Sequence, residues 1–223
     1  MNSILNNFKI TINEKLFLKD PETSELGKKI LQNSIIIIND IGFDAFTFKK
    51  LGDKIGSNES SIYRYFESKH KLLVYLSTWY WSWIEYQLVF ATTNVSDPIK
   101  KLENAINVIT QSIQDDRNTS HIDESILNRI VISEFNKTLL TKVVDEENKE
   151  GFFLVYKRVI YRLIEIIKEV NPSYEYSKSL ASLVVDGALH QHYLKFHFKT
   201  ITDCTESNPP TSFFKNLVLK QLI

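Results

Sequence analysis

The sequence predicts an all-α protein. Only six Gly and five Pro punctuate its 223 residues, apolar side chains recur at three- and four-residue spacing, and helix-capping residues stand ahead of those runs. With 43% hydrophobic residues the chain can bury a sizeable core.

Taken in order, residues 1–20 mix Ile, Leu and Phe with Asn and Lys, nearly alternating in KITINEKLFL, and predict an arm or short strand. Asp20-Pro21 then offers an N-cap and a first-turn proline, Glu22 and Glu25 suit the positive end of a helix, and Gly42 supplies a stop. A helix over about Pro21 to Ile41 follows. The run Ile35 to Ile38 has strand propensity, but the length of its segment and the bracketing signals favour a buried helix. Thr47 can cap a short helix through about Ile55, Gly56 can end it left-handed, and Asn58 can cap the next through about Phe66. Ser68 can cap a longer helix that lasts until Thr92-Thr93-Asn94, ahead of the start signal Asp97-Pro98. Helical patterns then occupy roughly Pro98–Asp115, Ile122–Thr141, Glu146–Val170, Tyr174–Lys199 and Ser212–Leu222, for about nine helices in all.

The single cysteine, Cys204, excludes an intramolecular disulfide framework, and the N-terminus lacks the pattern of a secretory signal. No stretch of about 18 apolar residues suggests a membrane span. A cytoplasmic protein with no membrane partner is expected. Lys plus Arg equal Asp plus Glu at 27 each. That balance argues against a protein coated in nucleic acid, but a compact reader needs only a local phosphate-facing surface.

Such a surface can be placed. Phe48, Leu51 and Ile55 share one face of the first short helix and Ile62 and Phe66 one face of the second, so the two can pack together. The other side of the second helix carries Ser60, Ser61, Tyr63, Arg64 and Tyr65, hydroxyls and a guanidinium suited to phosphates and base edges. Lys69 begins the long helix with an ammonium and an N-terminal amide, both favourable toward phosphate.

Gly42, Thr47-Phe48, Leu51, Gly56, Ser61 to Phe66, Ser68-Lys69 and Leu72-Leu73 together resemble the DNA-binding segment of the tetracycline-repressor family, over about Leu26 to Leu73. The resemblance implies that Thr47, Tyr63 and Lys69 touch phosphates while Asn58 to Arg64 enter the major groove of double-stranded DNA. Two positions depart from the family pattern. Gly52 stands where a small alanine-like residue is usual, and Glu59 puts a negative charge at the start of the recognition helix. Glu59 reads either as helix-end electrostatics or as an acceptor for a cytosine amino group.

The long helix carries Trp79, Trp83, Tyr86 and Phe90 at helical spacing, an aromatic stripe that reads as a wall of a small-molecule pocket or as core. In the resembling family the C-terminal helical domain commonly encloses such a pocket, and the long helix links it to the reader. Leu180, Leu183, Val184, Gly187, Ala188 and Leu194, with Phe214, Leu217 and Val218, read as a homodimer interface or as an intrachain core. The resemblance favours a two-fold dimer on a palindromic operator.

No cofactor or metal is expected: His190, His192 and His197 with Cys204 invite a metal-site reading, but His190 and His192 are two apart and point differently on a helix. The run Asp145-Glu146-Glu147 reads as a solvated helix start, and no catalytic motif appears.

The expected organisation is an arm over 1–20, a helix-turn-helix domain over 21–68 and a ligand-binding and dimerisation domain over 69–223. The expected function is a homodimeric repressor that a small-molecule effector releases from its operator. A helical ligand-binding or interaction module with a vestigial reader is the rival, and an enzyme using the aromatic pocket is a more distant one.

Overall fold

Ten α-helices form among the residues described, 10–113 and 121–223 of a computed structural model. They are α1 (Glu25–Ala45), α2 (Phe48–Ile55), α3 (Glu59–Tyr63), α4 (Lys69–Thr92), α5 (Pro98–Thr110), α6 (Glu124–Leu139), α7 (Val144–Lys149), α8 (Leu154–Val170), α9 (Ser177–His197) and α10 (Pro210–Leu222). Among those residues there is no strand.

Of the arm or short strand expected at the N-terminal end, no strand forms over residues 10–20. Residues 1–9 lie outside the described ones, and Glu14–Leu16 make a single 3-10 turn capped by Asn13, with Leu16 buried. A strand needs a neighbour to take its backbone groups. Here the Leu18 N–H instead donates to the Tyr65 carbonyl at 2.8 Å.

Asp20 and Pro21 do start a turn, but a 3-10 one (Pro21–Thr23), and α1 begins after it with Ser24, whose Oγ accepts from the Gly27 N–H. Gly27 is required by close approach, because a Cβ there would lie 2.1 Å from the Pro21 carbonyl oxygen. Gly27, Ile30, Leu31, Ser34, Ile35 and Ile38 are buried, a helical period that resolves Ile35 to Ile38 as helix. Gly42, at φ 75 and ψ 160, kinks α1 where a stop was expected.

Asn94, in the left-handed region at φ 61, follows α4, and Asp97 caps α5 by accepting from the Ile99 N–H. The helix expected to reach Asp115 is not continued over residues 111–113. The helix ends at Thr110 with Gln111 extended, and Asp115 lies outside the described residues. The predicted helix over 146–170 is two, because Gly151 takes φ 84 between α7 and α8. This accounts for ten helices where nine were expected.

The chain divides into two compact units. One comprises residues 1–80 and 113–153, and in it α6 packs on α1 and α2 packs on both α1 and α3. Its core includes Ile30, Leu31, Ile35, Leu51, Ile62, Phe66, Leu72, Leu127 and Ile130. The other comprises 81–112 and 154–223, with α5, α8, α9 and α10 packed on one another around Leu102, Ile106, Val159, Leu163, Val184, Ala188, Phe214 and Val218. No described helix is long and apolar enough to cross a membrane.

Candidate nucleic-acid interface

The turn from α2 to α3 is built by caps. Thr47, extended at φ −140, accepts the Lys50 N–H on its Oγ1 at 3.2 Å and starts α2. Gly56 ends it in the left-handed region at φ 67. Asn58 then starts α3, its Oδ1 accepting from both the Ser61 N–H and the Ser61 hydroxyl at 2.8 Å. Gly52, the departure from the family pattern, has a steric reason. A Cβ there would stand 2.7 Å from the Ser57 carbonyl oxygen, and the Ser57 N–H donates to the Gly52 carbonyl at 2.9 Å.

Phe48, Leu51, Ile62 and Phe66 are buried as the apolar faces require. The Tyr63 ring meets Phe48 edge-on at 4.9 Å between centroids, which holds the ring while 47% of the residue stays exposed. Thr47, Asn58, Glu59, Ser60 and Arg64 are also exposed, and Ser61 is half-buried. Asn58 and Ser61 are thus engaged with each other, whereas Ser60, Tyr63 and Arg64 present polar ends outward. Exposed Lys49 and Lys54 on α2 add two ammonium groups that a search centred on the second helix passes over.

Two side chains expected to face DNA are placed otherwise in this chain. Tyr65 does not share the outward face. It is 3% exposed, beneath Lys19, with its hydroxyl 2.8 Å from Ser24 Oγ. Helix α3 ends at Tyr63, so the chain turns Tyr65 inward with Phe66. Lys69 is half-buried, and its Nζ donates to the carbonyls of Phe43, Asp44 and Phe46 at 3.0, 3.1 and 3.1 Å. Its ammonium therefore serves the chain leaving α1. Ser68, as expected, caps α4 by accepting the Lys71 N–H at 3.2 Å.

The other candidate sets divide. Trp79 is buried in the first unit, Trp83 and Tyr86 are half-buried in the second, and Phe90 is 66% exposed. Among the described residues Phe90 therefore walls no enclosed pocket. A void in the first unit, lined by Leu73, Leu76, Leu127, Val131 and neighbours, measures about 10 Å³, enough for a water and not for an effector.

Of the proposed interface residues, Leu180, Val184, Ala188, Leu194, Phe214 and Val218 are buried within the second unit. Gly187 lets Phe214 approach, since a Cβ there would come within 2.9 Å of the ring. These residues are core in the single chain and Gly187 is half-buried against the Phe214 ring, while Leu183, at 54% exposed, and half-buried Leu217 keep surface free.

Glu147 is also corrected. It is buried, with Oε1 2.8 Å from His70 Nε2, and does not belong to a solvated helix start. His192 donates to the Thr110 carbonyl at 2.9 Å, and Cys204 is buried. Among the described residues no three His, Cys, Asp or Glu side chains are grouped to hold a metal.

Two short helices in a capped turn, with hydroxyls, a guanidinium and ammonium groups on the outward side, define a helix-turn-helix reader of DNA. Residues 30–76 match the model of the bacterial regulatory proteins of the tetR family, so this segment is similar to the DNA-binding part of those transcriptional regulators. The fold is similar to that of a tetR-family regulatory protein from Rhodococcus RHA1, at 13% identity, 89% of this chain, 97% of that one and a TM-score of 0.64. It is also similar to the superantigen PfiT, at 17% identity, 91% and 97% coverage and a TM-score of 0.59. A third similar structure is AibR in complex with isovaleryl coenzyme A and operator DNA, at 13% identity, 87% and 98% coverage and a TM-score of 0.55. No curated protein matches the chain.

Proposed function

We propose that the chain is a cytoplasmic homodimeric repressor that binds a palindromic operator and releases it when a small molecule binds the C-terminal helices. The observation carrying this reading is the outward array of Thr47, Ser60, Tyr63 and Arg64 on a capped α2–α3 turn. In the proposed complex Thr47 and Tyr63 bond phosphates, and Ser60 and Arg64 reach base edges. Residues 21–68 are the reader and 69–223 the effector and pairing region. Repression and the dimer follow from the family resemblance. AibR, of similar fold, carries both an acyl-coenzyme A and operator DNA in its structure, which supports an effector for this chain too. Half-buried Trp83 and Tyr86 are candidate effector contacts, and Leu183 and Leu217 are candidate partner contacts.

Selection of duplexes from a genomic fragment library by purified protein tests the reading, with Tyr63→Ala/Arg64→Ala as a folded control. An enriched palindrome that the control loses is the expected outcome. Arg64→Gln alone should relax selection at one base position if the guanidinium reads a base. If it bonds a phosphate, the salt dependence should instead lose about one charge in slope. No enrichment by a folded dimer would favour an interaction module with a vestigial reader, in keeping with the internal use of Lys69.

A further inference from the structure

At Gly42 the regular path of α1 stops, and residues 43 to 47 carry the chain across to Thr47 and α2. A chain leaving a helix in this way frees backbone groups that must find partners if they are buried. Here the partners come from other helices. Glu134 of α6, 91 residues further on and only 8% exposed, accepts the Phe43 N–H on Oε1 at 3.0 Å. Its Oε2 pairs with Lys137 Nζ at 2.9 Å, and the same ammonium reaches Asp44 Oδ2 at 2.7 Å. That contact holds the Asp44 carboxyl below the usual carboxylate range. Lys69 takes the carbonyls on the other side of the turn and stands 4.7 Å from the Phe43 ring centroid. A turn earlier along α1, Arg129 Nε of α6 donates to Asn39 Oδ1 at 3.1 Å.

We propose that Glu134 is a positioning residue for DNA reading, and that its bond to the Phe43 N–H sets the direction in which the chain leaves α1 and so the placement of Thr47 and α2. The proposal rests on the DNA-reading function above. The positive φ of Gly42 separates the regular turns of α1 from its last residues, Phe43 to Ala45, and a Cβ at Gly42 would be in van der Waals contact with Glu134 Oε1 at 3.7 Å. A carboxylate accepting a backbone N–H out of water makes a strong, directional bond. A slide of α6 along α1 would move that carboxylate off Phe43 and release the turn that delivers the reader. Whatever displaces α6 thus acts on α2 through this bond, with the Lys137–Asp44 pair beside it.

The test compares wild type, Glu134→Gln and Glu134→Ala by hydrogen exchange at the Phe43 amide and by affinity for the duplex enriched above. Glu134→Ala should speed exchange at Phe43 and weaken duplex binding, each by about tenfold, with protection at Ile35 inside α1 unchanged. Glu134→Gln keeps an acceptor for the N–H and should stay within about twofold of wild type on both. Unchanged exchange at Phe43 in the alanine variant would overturn the proposal, as would faster exchange with undiminished affinity, or a glutamine variant as weak as the alanine one. If the wild type enriches no duplex, the DNA reading falls and this role with it, while the exchange arm separately shows whether the bond holds the turn.

Discussion

The α2–α3 segment and the α9–α10 pair use their residues in opposite ways. Between Thr47 and Lys71 the helix-capping side chains find partners three residues away: Thr47 the Lys50 N–H, Asn58 the Ser61 N–H, Ser68 the Lys71 N–H. In α9 and α10 the allocation is made at long range. Thr110 meets Thr211 and the His192 ring, and Gly187 is matched to Phe214. Each helix of the pair has more apolar surface than one neighbour can cover, so the packing of α5 and α8 decides which part is core. A function written in short-range caps can be read residue by residue. An interface written in apolar side chains cannot be told from a core until the partners of each face are known.

The largest effect that would break this comparison concerns Phe214 and Leu183. Phe214→Ala should lower stability by about 3–5 kcal/mol, as loss of a buried aromatic does, because the ring is 2% exposed within one chain. Leu183→Ala should change the stability of dilute protein by no more than about 0.5 kcal/mol and weaken self-association instead. Denaturant unfolding and sedimentation at several concentrations separate the two. A Phe214→Ala protein that unfolds like wild type but no longer associates would return this residue to the interface.

A smaller effect sharpens the other side. Lys69→Met keeps an apolar stem but gives up three carbonyl contacts, and should cost about 1.5–3 kcal/mol of stability by chemical denaturation. A phosphate contact alone predicts unchanged stability and weaker DNA binding, so a variant of full stability would restore the phosphate role.

The smallest effect is a pH dependence in the second unit. Burial, ahead of the nearby Lys195 charge, holds the His192 pKa below its ordinary value, against the opposing bond to the Thr110 carbonyl. The unfolded chain therefore takes up this proton at higher pH than the folded one. The contribution is complete above about pH 6.5 and is lost as pH falls below it toward the folded value. Thermal midpoints across that range should fall more steeply for wild type than for His192→Gln, and parallel slopes would assign the acid sensitivity to other groups.

Caps, left-handed glycines and helical periodicity act within about four residues, so the sequence by itself determined the all-α class, the α2–α3 turn, the break at Asn94 and the start of α5 at Asp97. The division of the region 144–170 at Gly151 was also a local event, and a glycine before a Phe-Phe pair was its available signal. Tertiary structure alone decided that Tyr65 turns inward to Ser24, that Lys69 holds the end of α1, and that Glu147 pairs with His70. It also decided that Phe90 is exposed while Phe214 is buried. Nothing in the sequence singles out Glu134, whose partner lies 91 residues away. A side chain's type fixes what bonds it can make, but which bonds it makes depends on groups brought near by packing, and linear spacing carries no record of that proximity.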